Sequence, residues 1–248
     1  MERFTTLSAV ACPLALENVD TDQLIPARFM SRPRSAGYGG FLLHDLRFGP
    51  DGALRPGFPL NEARYAGAKV LVARRNFGTG SSREAAVYAL WDYGIRCVIA
   101  PSFGGIFEGN AVKNGLLPAV VSEFELSVID AWLSTAQSPE IVVDLEQAEI
   151  IAGPHRIAFA IEPVRRLRLL NGWEDLDLTD RHKAEITAFR ARRLTTAPWV
   201  VPTLEGSIAA QGGQRTSGAR TIEIGKNTQR MERVTSTGSS RPMQRRCS

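Results

Sequence analysis

The chain has 248 residues, of which 44% are hydrophobic and 23% charged, and this composition is ordinary for a globular protein of one large domain or two small ones. It contains no run of about 18 apolar residues and no basic N-terminal segment followed by an apolar core, so the sequence predicts neither a membrane span nor a secretory signal. The cysteines Cys12, Cys97 and Cys247 lack metal or disulfide spacing, and a reducing cytoplasm is therefore the expected compartment.

The net charge of +4 comes from the C-terminal segment. From Thr203 onward there are eight basic and three acidic residues, which leaves 22 basic and 23 acidic residues in the body over 1–202. The segment 203–248 is rich in Ser, Thr, Gly, Gln and Arg, and its composition predicts a disordered tail. An arm for anionic surfaces or nucleic acid is the alternative. The tail has no aromatic residue to stack on bases, so no specific nucleic-acid binding is expected.

The predicted elements of the body alternate between strands and helices. Strand and helix patterns follow one another between residues 68 and 121, which predicts a partly parallel sheet with helices packed on it. The predicted irregular segment 31–66 is long, and such segments in compact domains are usually functional or mobile. In chain order we predict strand 4–12, a loop and short helix over 21–30, an irregular segment 31–66, strand 68–74, helix 82–93, strand 96–100, helix 104–114, strand 118–121, helix 123–136, strand 141–145, a hairpin over 149–160 and a terminal helix 179–193.

The segment 76–84, with the sequence NFGTGSSRE, joins a predicted strand to a predicted helix. Its glycines, among them Gly80, permit positive φ and a close approach of ligand to backbone. The helix start offers free N–H groups and a positive dipole end to an anion. Two hydroxyls, of Ser81 and Ser82, and the guanidinium of Arg83 project into the same small volume. The segment therefore predicts a pocket for a carboxylate or phosphate, with a hydroxyl placed for chemistry.

Three known loop motifs do not fit this segment. It lacks the Lys of a Walker P-loop, it has Arg83 where the dinucleotide fingerprint needs a third glycine, and no glycine stands two residues after either serine as a hydrolase elbow requires. A purely structural interpretation remains, in which Ser81 caps the helix and Glu84 acts as the N3 residue of a capping box.

Four further segments, taken together with this loop, resemble the 3-isopropylmalate dehydratase small-subunit family of the aconitase superfamily. The resemblance covers the chain from about residue 3 to about residue 193 and follows the family's order. It implies an α/β fold over residues 1–202, the aconitase-type swivelling β/β/α domain with a partly parallel sheet and flanking helices. The four segments are residues 17–29 (ENVDTDQLIPARF), 99–107 (IAPSFGGIF), 110–118 (NAVKNGLLP) and 169–175 (LLNGWED).

The resemblance implies a hydro-lyase of leucine biosynthesis that isomerises 2-isopropylmalate to 3-isopropylmalate by dehydration and rehydration. Hydroxide is a poor leaving group, so the reaction needs a Lewis acid. In the family this is a [4Fe–4S] cluster held by three cysteines. The sequence contains no such cysteine cluster, so the resemblance implies that the cluster lies on a separate large subunit and that this chain carries no cofactor of its own. Activity is then expected only in the presence of the large subunit.

The resemblance also implies roles for residues of the glycine-rich loop. Ser81 matches the serine whose alkoxide acts as the base, stabilised by the helix N-terminus and by Arg83. Ser82 and Arg83 match the residues that hold the substrate carboxylate, for which the planar guanidinium can make two parallel hydrogen bonds. Gly80 is grouped with these substrate-binding residues.

Two residues of the segment 17–29 are weaker substrate-site candidates. Asp22 matches a position that can orient a histidine of the partner subunit or a water molecule, and its alternative is an Asx-type turn cap. Arg28, followed by Phe29, lies where the family sets its side-chain specificity, and its alternative is simple exposure to solvent.

The chain departs from the family at Thr79 and Ala111, where cysteine is frequent, and at Ala85, where histidine is frequent. The serine and arginine positions of the loop are intact. Two alternatives stay open at this point: the small subunit of a related dehydratase acting on a methylmalate, homoaconitate or citrate type of hydroxy-diacid, or a non-catalytic binding module.

Overall fold

A computed structural model of the chain describes residues 1–81 and 83–200. Residues 1–193 form one compact unit, and a second unit begins at Leu194. The tail predicted over 203–248 lies outside the described residues. The strands are β1 Thr6–Pro13, β2 Val70–Val72, β3 Cys97–Ala100, β4 Leu117–Val120, β5 Glu140–Asp144, β6 Glu149–Ala152 and β7 His155–Ala158. The α-helices are α1 Thr21–Leu24, α2 His44–Arg47, α3 Glu84–Tyr93, α4 Gly105–Lys113, α5 Glu123–Thr135, α6 Pro163–Asn171, α7 Asp175–Asp180 and α8 Lys183–Thr196.

These strands form one mixed sheet in the order β4-β3-β2-β1-β5-β6-β7. The pairs β1–β2, β2–β3 and β3–β4 are parallel, whereas β1–β5, β5–β6 and β6–β7 are antiparallel. Helices α3 and α4 connect successive parallel strands, as crossovers between parallel strands require. The main-chain groups of Val120 and Ala160 exchange hydrogen bonds of 3.2 and 2.8 Å, which curls the sheet toward closure. The predicted α/β architecture with a partly parallel sheet is therefore confirmed.

Both faces of the parallel strands are buried, because successive residues of a strand point to opposite sides. In β2, Leu71 belongs to the core under α3, while its neighbours Val70 and Val72 belong to the core shared with α5 and the antiparallel strands. The first core also contains apolar residues of the irregular segment between β1 and β2. This segment contains short 3-10 helices at Ala27–Phe29, Arg34–Ala36, Tyr38–Phe41, Pro59–Asn61 and Ala63–Tyr65.

The predicted elements up to residue 160 lie within a few residues of the observed ones. The prediction missed α6 and α7, and the predicted terminal helix over 179–193 is wrong at its start, because α7 ends at Asp180 and α8 begins at Lys183. The helix predicted from residue 82 begins at Glu84, with Arg83 as its N-cap. Within the described part of the chain, no helix combines the length and apolar character needed to cross a lipid bilayer.

Candidate active site

The glycine-rich loop lies at the carboxyl edge of the parallel strands. Three segments meet there, each following one of the strands β1, β2 and β3. Gly78 N donates to Val19 O at 2.7 Å, and Gly104 N donates to Phe77 O at 2.9 Å, so the loop after β2 is held between the other two segments. The carboxyl edge of parallel strands is the usual place for a ligand crevice in α/β proteins.

A cleft of about 160 Å³ opens where these segments meet. The glycine-rich loop forms one wall of the cleft, which is polar. The turn after β3 and the start of α4 form the second wall. Ile106 is 57% exposed at this second wall, so the cleft offers an apolar contact beside hydroxyl and guanidinium groups. The residues lining it are Thr21, Gly78, Thr79, Gly80, Ser81, Arg83, Gly104, Gly105, Ile106 and Phe107.

Two glycines of the cleft have no room for a side chain. Gly78 has a φ of +72°, and a Cβ there would lie 2.2 Å from Cγ of Phe107. A Cβ on Gly104 would lie 2.5 Å from the carbonyl oxygen of Gly78. Gly80 has a φ of +91°, which disfavours other residues whatever the space. The close packing of the two turns therefore depends on glycine at both walls.

Ser81 lies exposed at the cleft, just before α3. Its carbonyl oxygen accepts a hydrogen bond of 2.9 Å from Thr21 Oγ1, which ties the loop to α1. Helix α3 starts at Glu84, and its N-cap residue Arg83 makes no side-chain capping hydrogen bond. The Glu84 carboxylate instead accepts a hydrogen bond of 2.8 Å from Asn114 Nδ2. The capping-box interpretation of Ser81 and Glu84 is therefore wrong.

Arg83 and Asp22 form an ion pair at the cleft, through Nη1 of the guanidinium and Oδ1 of the carboxylate. The Arg83 side chain is 20% exposed and that of Asp22 is 53% exposed, so the carboxylate fixes the guanidinium from the solvent side. The cap of α1 is Asp20, whose Oδ1 accepts from Gln23 N at 2.7 Å in a capping box. The alternative of a cap role for Asp22 is therefore wrong.

Arg28 is placed differently from the loop residues. Its Nη1 donates to Asp45 Oδ2 at 2.8 Å, and its guanidinium lies 4.6 Å from the centroid of the Phe29 ring. The hydrogen bond from Arg28 lowers the pKa of the Asp45 carboxyl to about 2. The side chain of Arg28 is 54% exposed, and the described residues that line the cleft do not include it.

The described residues do not fit an iron–sulfur cluster. Among residues 1–81 and 83–200, no three His, Cys, Asp or Glu side chains are grouped so that they could hold a metal ion. Cys12 and Cys97 are both buried in strands of the sheet. Burial raises the pKa of the Cys12 thiol to about 12 and also raises that of Cys97, which opposes the thiolate form that iron–sulfur ligation needs.

The structure adds residues to the site that the sequence did not indicate individually. Thr21 anchors the carbonyl of Ser81, and the turn Gly104–Phe107 forms the second wall of the cleft. The sequence did carry one signal for the second wall. Its turn directly follows the buried strand β3, as the glycine-rich loop follows β2, and the carboxyl ends of neighbouring parallel strands lie side by side.

Comparisons with known proteins agree with this geometry. Residues 1–123 match the family described as the aconitase C-terminal domain. The chain is 48% identical over 203 residues to the 3-isopropylmalate dehydratase small subunit of Rhodospirillum centenum, covering 81% of this chain and 100% of that protein. It is 43% identical over 202 residues to the corresponding protein of Paramagnetospirillum magneticum, with the same coverage.

A solved structure is also similar. The crystal structure of 3-isopropylmalate dehydratase from Methanocaldococcus jannaschii is 25% identical, with a TM-score of 0.52, over 74% of this chain and 98% of that chain. The chain is nearly half identical to these bacterial small subunits over almost their entire length, and it shares the fold of the solved structure. Both comparisons give the same assignment. The chain therefore belongs to the 3-isopropylmalate dehydratase small-subunit family, within the aconitase superfamily.

Proposed function

We propose that this chain is the small subunit of a two-subunit 3-isopropylmalate dehydratase, a hydro-lyase of cytoplasmic leucine biosynthesis that isomerises 2-isopropylmalate to 3-isopropylmalate. One observation carries the proposal: in a chain this similar to such subunits, Ser81 and Arg83 line one cleft at the carboxyl edge of the sheet. The substrate is a hydroxy-diacid, and the cleft combines a hydroxyl, a guanidinium and the apolar side chain of Ile106.

Ser81 is proposed as the base that removes the proton from carbon. An unaided serine hydroxyl is far too weak an acid to supply an alkoxide at neutral pH, so its anion needs local stabilisation. The start of α3 presents N–H groups without a side-chain cap and the positive end of the helix dipole. The guanidinium of Arg83 adds a full positive charge at the same cleft.

Arg83 is proposed to hold a substrate carboxylate, together with Ser82, whose role rests on the family resemblance. A guanidinium has five N–H donors, and only Nη1 of Arg83 is engaged by Asp22, so further donors remain for a ligand. Asp22 would then position Arg83 rather than touch the substrate. Gly80 lets the main chain approach the ligand closely, because no Cβ intervenes.

Departure of hydroxide requires a partner. The described residues do not fit a metal cluster. We propose that the large subunit supplies the required Lewis acid as a [4Fe–4S] cluster, which would assist loss of the hydroxyl. The small subunit would then contribute the base and the carboxylate clamp, and it would be inactive alone.

Reconstitution tests this division of labour. The purified chain should be colourless and should not turn over isopropylmalate, whereas anaerobic mixing with the large subunit should give isomerisation. A panel of 2-isopropylmalate, methylmalate, homocitrate and citrate then identifies the substrate, and isopropylmalate should give the highest kcat/KM. A brown, iron-containing preparation that is active without a partner would contradict the proposal.

A further inference from the structure

A second cavity lies at the opposite edge of the sheet, where the parallel strands begin. Its volume is about 310 Å³, and residues 2–7, before and at the start of β1, form one wall. Lys69 directly precedes β2, and Arg96 directly precedes β3. Arg96 N donates to Lys69 O at 2.8 Å, which places these two cationic residues side by side. The cavity shares none of its lining residues with the cleft that holds Ser81.

The charges around this cavity are unbalanced. Arg3, Lys69 and Arg96 line it, and Glu2 is the carboxylate in the lining. Among the described residues, none of the three cations forms an ion pair, whereas Arg83 at the catalytic cleft pairs with Asp22. Arg3 Nε donates only to a main-chain oxygen, that of Asn171, at 3.3 Å. The lining therefore carries a net positive charge, which Glu2, and Asp92 nearby, offset only in part and without an ion pair to Arg96.

Arg96 is held in a fixed orientation that suits the binding of an anion. Its Cζ lies 3.7 Å from the centroid of the Trp91 ring, and its Nη1 donates to the carbonyl oxygens of Trp91 and Ile95 at 2.9 and 3.0 Å. These contacts fix the guanidinium plane, while Nε and Nη2 donate to no described residue. Burial of its charge lowers the pKa of Arg96, a cost that the nearby charges of Glu2 and Asp92 offset only in part. An anion in the cavity would relieve that cost.

We propose that this cavity binds a small anion carrying at least two negative charges, of the phosphate or dicarboxylate class. A volume of about 310 Å³ corresponds to roughly ten water molecules at about 30 Å³ each, which accommodates such an anion and its remaining hydration. Lys69 is exposed and supplies a second cation to the lining, and Arg96 supplies fixed donors beside Trp91. The site is independent of the proposed isomerase activity, because it uses different residues at the other edge of the sheet.

An NMR titration of the full-length chain tests the proposal. Inorganic phosphate and succinate are added separately at constant ionic strength, with sodium chloride as the reference anion. We expect saturable shifts of the amide signals of Gly94 and Gly115, which line the cavity, with phosphate, succinate or both. The amides of Gly78 and Gly104 report on the catalytic cleft in the same spectra. Absence of saturation at Gly94 and Gly115 with both anions would overturn the proposal.

Two variants localise the binding. Lys69→Gln removes a charge-assisted contact and should weaken anion binding about tenfold, while the matched variant Lys183→Gln, on α8, should leave it unchanged. Arg83→Gln, in the catalytic cleft, should also leave the shifts of Gly94 intact. Lys69→Gln should not change isomerase turnover with the large subunit. Binding that survives Lys69→Gln but is lost in Arg83→Gln would assign the anion to the catalytic cleft and would overturn the second site.

Discussion

At the residue scale, Ser81 and Arg83 lie on one cleft but are expected to act at different stages of the reaction. Ser81 is exposed and its main chain is anchored by Thr21, which fits a group that meets the reacting atoms. Arg83 is mostly buried and already paired with Asp22, which fits a group whose orientation is fixed before substrate arrives. A base acts mainly in the transition state, whereas a carboxylate clamp also acts in the ground state. The two roles predict different kinetic signatures.

Ser81→Ala should lower kcat by about 100- to 10,000-fold, the usual contribution of a general base, while KM changes little. The measurement is steady-state turnover of isopropylmalate with the large subunit present. Ser127→Ala is the matched control, because Ser127 donates only to a main-chain oxygen within α5. A mild loss of turnover, equal to that of the control, would indicate a structural role for Ser81 instead.

Arg83→Lys should instead raise KM by roughly tenfold to a hundredfold, because an ammonium cannot reproduce the two parallel hydrogen bonds of a guanidinium to a carboxylate. The same assay provides KM and kcat separately. Arg156→Lys is the control, since Arg156, on the largely exposed strand β7, pairs with Glu149 on β6. An unchanged KM would contradict the clamp.

At the scale of elements, the contact between the two glycine-rich turns sets the shape of the cleft. Gly104→Ala should lower the free energy of unfolding by about 1–3 kcal/mol, because its Cβ would meet the main-chain oxygen of Gly78, which cannot rotate away. Gly105→Ala, one residue later, meets no atom within 4 Å and should leave stability unchanged or slightly higher. Urea unfolding of both variants measures the difference. Equal stability of the two would show that the turns are not tightly packed.

The sequence predicted the strands and helices of the sheet well because each carries a local signal. Val70–Val72 and Cys97–Ala100 are short buried apolar runs, and α5 begins with the capping box of Ser122 and Glu125. Helix α6 was missed although its apolar and charged residues separate onto opposite faces, because three arginines among its nine residues make it polar on average and Leu169 is its one fully buried residue.

The residue types of the candidate site could be predicted from the sequence, but the contacts between them could not. The loop Gly80–Arg83 could be identified locally, whereas its spacing to Glu84 also matched a capping box. The capping alternative is excluded by the position of the helix start at Glu84 and by the hydrogen bond from Asn114 to the Glu84 carboxylate, which joins residues 30 positions apart. Likewise, the two acids of the Asp-Thr-Asp segment look equivalent in sequence, and only the fold makes Asp20 the cap and Asp22 the partner of Arg83. Such long-range choices require the three-dimensional structure.

At the scale of the whole molecule, the region shared with relatives contains every described residue that lines the cleft. About 81% of this chain covers the full length of the Rhodospirillum centenum small subunit, and the segment 203–248 contains none of the motifs of the cleft. Truncation after Thr203 should therefore leave the melting temperature and the partner-dependent turnover of the chain unchanged. Both are measured beside the full chain. A fall of several degrees, or loss of most activity, would show that the segment is required.

The position of β1 at the junction of the sheet has a consequence for how the protein is made. β1 precedes the other described strands in the chain, yet it pairs with β2 on one side and with β5, at Glu140–Asp144, on the other. Pairings this distant in sequence form slowly, and an unpaired strand edge is a template for aggregation in the meantime. Limited proteolysis of ribosome-bound chains of increasing length should show protection of residues 6–13 only once β5 is available. The growing chain, rather than the finished fold, is thus the state in which the edges of β1 are open to pairing with other chains.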